Sequence, residues 1–125
     1  MNYEAFIQMI QRVNPNCAIL LTVPNDNYYK KKYPNKNTAV QEQIILQLAE
    51  KYNMATWNLY EIMGGLGSSY KWYRNKLMRS DRIHFTYLGY SLKADLLLNA
   101  LVNSWANCTN RNPKTLLNQF KMVNE

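Results

Sequence analysis

The apolar residues of the chain alternate between helical and strand-like patterns. Those near the N-terminus recur at the spacing of one helix face: Tyr3, Phe6, Ile7, Ile10 and Val13. The Asn-Pro-Asn sequence at 14–16 predicts the end of that helix. A continuous apolar run at 18–23 then lies between Pro15 and Pro24. It predicts a strand buried on both faces, as in a parallel sheet.

The next segment predicts a helix and a second strand. Asn37 and Thr38 are placed to cap the helix. Its apolar stripe consists of Val40, Ile44, Ile45, Leu48 and Tyr52. The residues at 54–59 read as a strand, so the chain is expected to form a right-handed βαβ crossover with two parallel strands.

A long apolar helix is predicted near the C-terminus, with Thr86 as its N-cap. Its stripe is expected to face the core: Tyr90, Ala94, Leu97, Leu98, Leu101 and Trp105. From residue 108 the composition becomes polar and basic, and Leu116, Leu117 and Phe120 suggest one more short helix. We therefore divide the chain into a folded portion, 1–107, and a polar basic tail, 108–125.

Two strands are too few for a complete sheet. A two-stranded parallel sheet leaves both outer edges unpaired and its helices half covered. We expect an α/β fold in which this chain supplies only part of a parallel sheet.

The formal net charge of +7 favours anionic surroundings such as nucleic acid, a cell-wall polymer or acidic lipid. Much of it lies in the polar, tyrosine-rich segment 25–36, predicted to be a loop beside a strand end, where ligands of open sheets gather. Tyr28, Tyr29 and Asn25 are candidate substrate-binding residues there. The alternative is a solvated loop without a ligand.

The sequence contains few signals for disulfides, metal sites or phosphate-binding loops. Two cysteines and one histidine predict neither a disulfide framework nor a metal site. The glycine-rich stretch 64–69 matches no phosphate-binding motif and is interpreted as a turn, and its Ser68 and Ser69 do not lie in a nucleophile elbow. The sequence contains no predicted membrane span and no signal peptide. The cellular compartment is left open, because a longer parent protein could be exported.

The single histidine, His84, follows Asp81 by three residues. An imidazole exchanges protons near neutral pH when a neighbouring group fixes its tautomer. On one tight turn, Asp81 can hold one ring nitrogen and leave the other free. On this spacing alone a structural histidine is the more common case.

The surrounding block raises the case for catalysis. The residues Asp81, His84, Thr86, Gly89 and Tyr90, followed by the helix 92–105, resemble the last sequence block of the SGNH, or GDSL-type, hydrolases. The apolar run 18–24 resembles the strand that follows that family's asparagine-bearing block. The resemblance implies a three-layer flavodoxin-like fold and ester hydrolysis by a Ser-His-Asp triad. His84 and Asp81 would be catalytic, with no cofactor.

The family's Gly-Asp-Ser and Gly-x-Asn-Asp motifs do not occur in this chain. The chain therefore resembles only the C-terminal half of such an enzyme, and the serine would belong to a missing N-terminal half. The expected substrate is an acyl ester, with an acylated carbohydrate favoured, and the isolated chain is expected to be inactive.

Two alternatives remain open from the sequence. The chain could be a non-catalytic basic module that binds an anionic glycan or nucleic acid, of which nucleic acid is the less favoured. It could also be a genuine short protein that pairs with a second polypeptide carrying the serine.

Overall fold

The computed structural model describes residues 3–115. Its elements, in chain order, are α1 (Tyr3–Val13), β1 (Leu20–Val23), β2 (Tyr28–Tyr29), β3 (Tyr33–Pro34), α2 (Asn37–Lys51), β4 (Ala55–Asn58), α3 (Leu59–Met63), α4 (Ser68–Arg74) and α5 (Tyr87–Thr109). The fold is a mixed α/β arrangement with a small parallel sheet.

The central sheet consists of β1 and β4, which pair in parallel from Leu20 opposite Ala55 to Val23 opposite Asn58. This confirms the predicted pair of parallel strands joined through a helix. The prediction that β1 is buried on both faces was wrong, because Val23 alone in the strand is buried and Leu20 is 40% exposed. Within residues 3–115, β1 pairs on one edge only, and its other edge has no strand partner.

Helices cover the two faces of this sheet. Successive side chains of a strand point to opposite faces, so Val23 and Trp57 face opposite sides. Val23 packs with Ile45 of α2 and with Tyr60. Trp57 belongs to the other cluster, with Leu59, Met63, Met78 and Phe85, against which Leu96, Leu97 and Ala100 of α5 pack. The result is three layers around two strands.

The predicted core stripe of α5 was largely wrong. Five of its six members are exposed: Tyr90, Ala94, Leu98, Leu101 and Trp105. Leu97 packs against the core as predicted, together with Leu96 and Ala100, which lie outside the predicted stripe. The buried residues of the helix are Gly89, Val102 and Ala106. α5 is apolar on more than one face, so its sequence does not identify which face the described core covers. The helix continues through Thr109, past the predicted boundary at 107, and Leu116, Leu117 and Phe120 lie outside the described residues.

The stripe predicted for α2 was also partly wrong. Ile45 is buried as expected, but Val40 and Ile44 are exposed, and the other buried residues of the helix are Thr38 and Ala49. Small side chains thus form much of the contact face.

Helix α1 forms over the predicted residues and lies against α2. Glu4 accepts hydrogen bonds from Lys51 and Tyr52, at 2.7 and 2.9 Å, and the Gln41 amide donates to the Tyr3 hydroxyl at 2.9 Å. Ile7 is the buried residue of α1, and much of its apolar side is exposed: Tyr3, Phe6, Met9 and Val13.

The segment 25–36 is more ordered than the loop predicted from the sequence. It contains the antiparallel hairpin β2–β3, with Tyr29 opposite Tyr33. Nor do Asn37 and Thr38 cap α2, because both lie inside it. The side chain of Asn35 instead accepts the Asn37 N–H at 3.1 Å, and Thr38 is buried, where its hydroxyl accepts from Asn27 at 3.2 Å.

Thr86 caps α5 as predicted. Its hydroxyl oxygen accepts the Gly89 N–H at 3.2 Å and its hydroxyl donates to the Lys76 carbonyl at 2.7 Å. We expect Thr86→Ala to lower the free energy of unfolding by about 1 to 2 kcal/mol, because both bonds are lost at the start of the longest helix. Thr86→Ser keeps the hydroxyl and should recover most of the loss in urea unfolding. Equal losses for the two variants would contradict the capping role.

Candidate active site

The Asp81–His84 turn is closed by main-chain bonds between its two arms. The Arg79 N–H donates to the His84 carbonyl at 2.8 Å, and the Thr86 N–H donates to the Leu77 carbonyl at 3.0 Å. Met78 and Phe85, on opposite arms, form a β-bridge and are both buried in the core cluster. Buried anchors therefore hold a turn whose tip faces solvent.

The structure brings the two predicted catalytic side chains together. His84 Nδ1 lies 2.9 Å from Asp81 Oδ2, and the main-chain N–H groups of Ile83 and His84 donate to Asp81 Oδ1 at 2.9 and 3.0 Å. The His84 side chain is 62% exposed. An ionised carboxylate only accepts, so Nδ1 carries the proton and Nε2 is an acceptor. No hydrogen bond to Nε2 forms within residues 3–115.

Asp81 is held in its charged form by this geometry. Partial burial acts to raise its pKa, but hydrogen bonds from the main chain and ring of His84 and from the Ile83 N–H together lower the pKa to about 2. The carboxylate is therefore ionised at neutral pH and keeps the imidazole in one tautomer.

Because the pKa of Asp81 is lowered in the folded chain, the ionised carboxylate stabilises the fold, and this contribution decreases at acid pH. The folded value lies below the ordinary 3.9 of an aspartate, so the contribution of Asp81 is present above about pH 4 and is lost as the pH falls through about 2. We expect the Asp81 carboxyl carbon to titrate with a midpoint near pH 2 in NMR spectra of the folded chain. A midpoint at the ordinary aspartate value would show that the hydrogen bonds are not formed.

The loop after β1 docks on the same turn. The Asn25 side-chain amide donates to the Ile83 carbonyl at 3.3 Å, and the Tyr28 N–H donates to the Arg82 carbonyl at 3.2 Å. The Arg82 guanidinium lies over three aromatic rings, at 4.8 Å from Tyr28, 5.0 Å from Tyr70 and 5.7 Å from Tyr73. Arg82 thus joins the turn to β2 and to α4, a contact that sequence analysis missed.

The predicted substrate-binding residues lie beside this turn in different environments. Tyr28 is buried with its ring against Arg82, Tyr29 is 61% exposed on the hairpin, and Asn25 is half-buried with its amide bonded to the turn. A substrate contact is open to Tyr29 in this arrangement, and the binding role of all three stays a prediction.

A second buried polar pair lies behind the loop. Asp26 and Ser69 are fully buried, and both the N–H and the hydroxyl of Ser69 donate to Asp26 Oδ2. Burial, and then the charges of Asp26 and Glu42, raise the pKa of Tyr60. Ser69, which follows the glycine-rich turn, thus contacts the loop after β1, and the Ser69 hydroxyl is already hydrogen-bonded to Asp26. Nothing in the sequence spacing indicated this pair.

A cavity of about 410 Å³ opens at the carboxyl end of β1. Residues from all three layers line it, among them Tyr3 of α1, Gln41 of α2, and Lys93 and Leu97 of α5. Trp57 also lines it, and the indole N–H of this buried residue has no hydrogen-bond partner within residues 3–115.

Residues 3–115 provide no candidate metal cluster and no candidate membrane span. No group of three or more histidine, cysteine or acidic residues is placed to hold a metal ion there. None of the helices between residues 3 and 115 is both long and apolar enough to cross a membrane.

Comparison with known proteins gives one fold-level result. No model of a known protein family matches the sequence, and no curated protein matches it. A solved structure of a peptidoglycan O-acetylesterase is similar to this chain with a TM-score of 0.72 and 20% sequence identity over 78% of the chain. The chain covers 29% of the length of that esterase. The chain therefore has the fold of part of an esterase, consistent with an incomplete flavodoxin-like sheet.

Proposed function

We propose that this chain supplies the histidine and aspartate of a serine acyl hydrolase whose nucleophile lies outside the 125 residues. The observation that carries the proposal is the exposed His84 ring, bound to Asp81 through Nδ1 and free at Nε2. That geometry suits a general base for a hydroxyl brought to Nε2.

The reaction follows from the free nitrogen. Nε2 accepts the proton as the serine oxygen bonds to the ester carbonyl carbon, which becomes tetrahedral. The imidazolium, stabilised by Asp81, then gives that proton to the leaving oxygen as the ester bond breaks. Water attacks the acyl-enzyme in the same way and releases the acid and the free serine.

The two serines of the glycine-rich turn do not supply this nucleophile. Ser68 and Ser69 are buried, and the Ser69 hydroxyl donates to Asp26. No serine within residues 3–115 forms a hydrogen bond with Nε2. This supports a serine contributed by another part of a longer chain or by a second polypeptide.

The open edge of β1 indicates where that missing part belongs. The cavity beside this edge is bounded by α1 and α2 on one side and by α5 on the other. This arrangement supports the presence of a further strand there in the complete protein. A strand there would place a carbonyl within reach of the unpaired Trp57 indole and cover the exposed Leu20. We infer that the missing part adds a strand parallel to β1.

The proposed reaction class is hydrolysis of an acyl ester, with an acylated saccharide as the substrate. The similar solved protein is named a peptidoglycan O-acetylesterase. An exposed tyrosine, Tyr29, on the hairpin next to the turn offers a surface on which a sugar ring can stack.

The DNA upstream of the Met1 codon tests the proposal. We expect an in-frame Gly-Asp-Ser, followed by Gly-x-Asn-Asp, within roughly a hundred codons or in an adjacent reading frame. Producing that polypeptide together with this chain should give hydrolysis of a chromogenic acetate ester, and this chain alone should give none above a His84→Ala control. Activity of the chain alone above that control would refute an external nucleophile, and an inactive completed protein would refute the hydrolase itself.

A further inference from the structure

The positive charge of the chain is concentrated in two segments. Residues 24–36 and 71–82 contain nine lysines and arginines and two aspartates, Asp26 and Asp81. This excess of seven equals the net charge of the whole sequence, so the acidic and basic residues elsewhere balance. The nine are Lys30, Lys31, Lys32, Lys36, Lys71, Arg74, Lys76, Arg79 and Arg82.

The structure brings these two segments into contact, and we call their nine basic residues the cationic face. The segments meet through the bonds from Tyr28 to Arg82 and from Asn25 to Ile83. Every member except Arg82 is exposed, whereas Asp26 is fully buried. Asp81 lies within the second segment and His84 follows its end by two residues, so both basic segments adjoin the candidate active site.

Backbone conformation provides an independent observation. Non-glycine residues with positive φ are uncommon, and asparagine tolerates this conformation best among them. In the described part of the chain six such residues occur, two of which are Asn53 and Asn110. The other four all belong to the cationic face: Lys30 at 50°, Lys31 at 57°, Lys76 at 61° and Arg82 at 56°.

The backbone strain of these positive-φ residues is clearest in the hairpin turn. Lys32 N–H donates to the Tyr29 carbonyl at 3.1 Å, so Lys30 and Lys31 are the central residues of a β-turn. With positive φ at both, Asn-Gly is the favoured pair, and a lysine at either position adopts a strained backbone conformation. Basic side chains are thus retained where uncharged residues would fold better.

The same hairpin combines charge with exposed rings. Lys30 Nζ lies 5.2 Å from the ring centre of Tyr29, and Lys32 Nζ lies 5.3 Å from that of Tyr33. Both rings are more than half exposed. An aromatic face with an ammonium group beside it matches a sugar ring that carries a carboxylate.

We propose that the cationic face binds an anionic polysaccharide and presents its acyl esters to His84. This inference rests on the proposed function for its catalytic half, but the binding half is a property of the chain itself. The hairpin β2–β3 and the Asp81–His84 turn hold these charges beside the candidate site, so we assign the negative groups to the substrate polymer itself. Uronic-acid-like units, with one carboxylate per sugar, fit the tyrosine and lysine pairs best.

Binding to the full 125-residue chain tests the proposal by NMR titration of its backbone amides. The probes are a hexamer of galacturonic acid, a neutral hexamer of N-acetylglucosamine and a six-nucleotide thymidine strand. We expect the uronate to shift the amides of residues 29–33, with a Kd that rises steeply between low and physiological salt because ion pairs with released counterions dominate. The neutral glycan should bind at least about tenfold more weakly.

The variant Lys30→Asn with Lys31→Gly separates binding from folding. It removes two charges and supplies the preferred turn, so the midpoint of thermal unfolding should rise while the uronate Kd rises about fivefold or more. The matched control, Arg111→Gln with Lys114→Gln, removes the same charge from exposed positions outside the cationic face. Its Kd should change by less than about twofold.

Three results would overturn the proposal. These are equal losses for the two double variants, binding of the neutral glycan as tight as that of the uronate, and tighter binding of the thymidine strand, which would assign the surface to nucleic acid. Ester hydrolysis by the completed protein is measured separately. Activity without uronate binding would reject the cationic face alone, and binding without activity would reject the proposed hydrolysis alone.

Discussion

Replacement of His84 by alanine is expected to reduce ester hydrolysis by the completed protein by about a thousandfold or more. Without the imidazole no group accepts the serine proton or returns it to the leaving oxygen. The loss should appear in kcat for a chromogenic acetate ester, with KM changed little. Because the ring is exposed and anchored by Asp81 alone, the free energy of unfolding should change by less than about 1 kcal/mol.

Asp81→Asn provides a matched variant. The amide oxygen can still accept the N–H groups of Ile83 and His84, so the turn is kept, but the imidazolium loses its negative partner and the tautomer is no longer fixed. We expect a rate loss of comparable size to that of His84→Ala, with the double variant little worse than either. Additive losses would show that the two residues do not act as one unit.

Gly89→Ala is expected to have the largest effect on stability. Glycine inside a helix normally costs about 1 kcal/mol relative to alanine, so the exchange would ordinarily stabilise α5. Here a Cβ at position 89 would lie 1.9 Å from the carbonyl oxygen of Leu77 and 2.9 Å from its carbonyl carbon. Main chain cannot move aside as a side chain can, and we expect a loss of about 3 kcal/mol or more in urea unfolding.

Asn99→Ala is the control for this prediction. Asn99 is exposed in the middle of the same helix, so its replacement should leave stability unchanged or raise it by up to about 0.5 kcal/mol. A Gly89→Ala chain as stable as the Asn99→Ala chain would show that α5 does not pack closely on Leu77.

Local signals made several parts of the structure predictable. Pro15 and Pro24 bracketed β1, the apolar period gave α1, and Thr86 marked the start of α5. The spacing of Asp81 and His84 correctly predicted that the two side chains meet on a turn.

The features that escaped prediction depend on contacts distant in sequence. Ser69 meets Asp26 across 43 residues, and Arg82 meets Tyr28 across 54, with no periodic pattern to reveal either contact. Leu97 was assigned correctly, but the rest of the buried face of α5 was misassigned because Leu98, Leu101 and Trp105 are as apolar as Leu96. The sequence pattern identifies the apolar positions of a helix, but which of them become buried depends on the elements that pack against it.

The unpaired edge of β1 has a consequence for how this polypeptide behaves at high concentration. A free strand edge flanked by uncovered apolar helices is a template for self-association, which the shared positive charge opposes in dilute buffer. Added electrolyte weakens that repulsion without weakening apolar contacts, so copies of the chain should cluster as ionic strength rises. Repulsion between like-charged copies is therefore expected to keep the chain in solution on its own. A strand paired with the free edge of β1 would remove the template for self-association, and solubility would then depend little on salt.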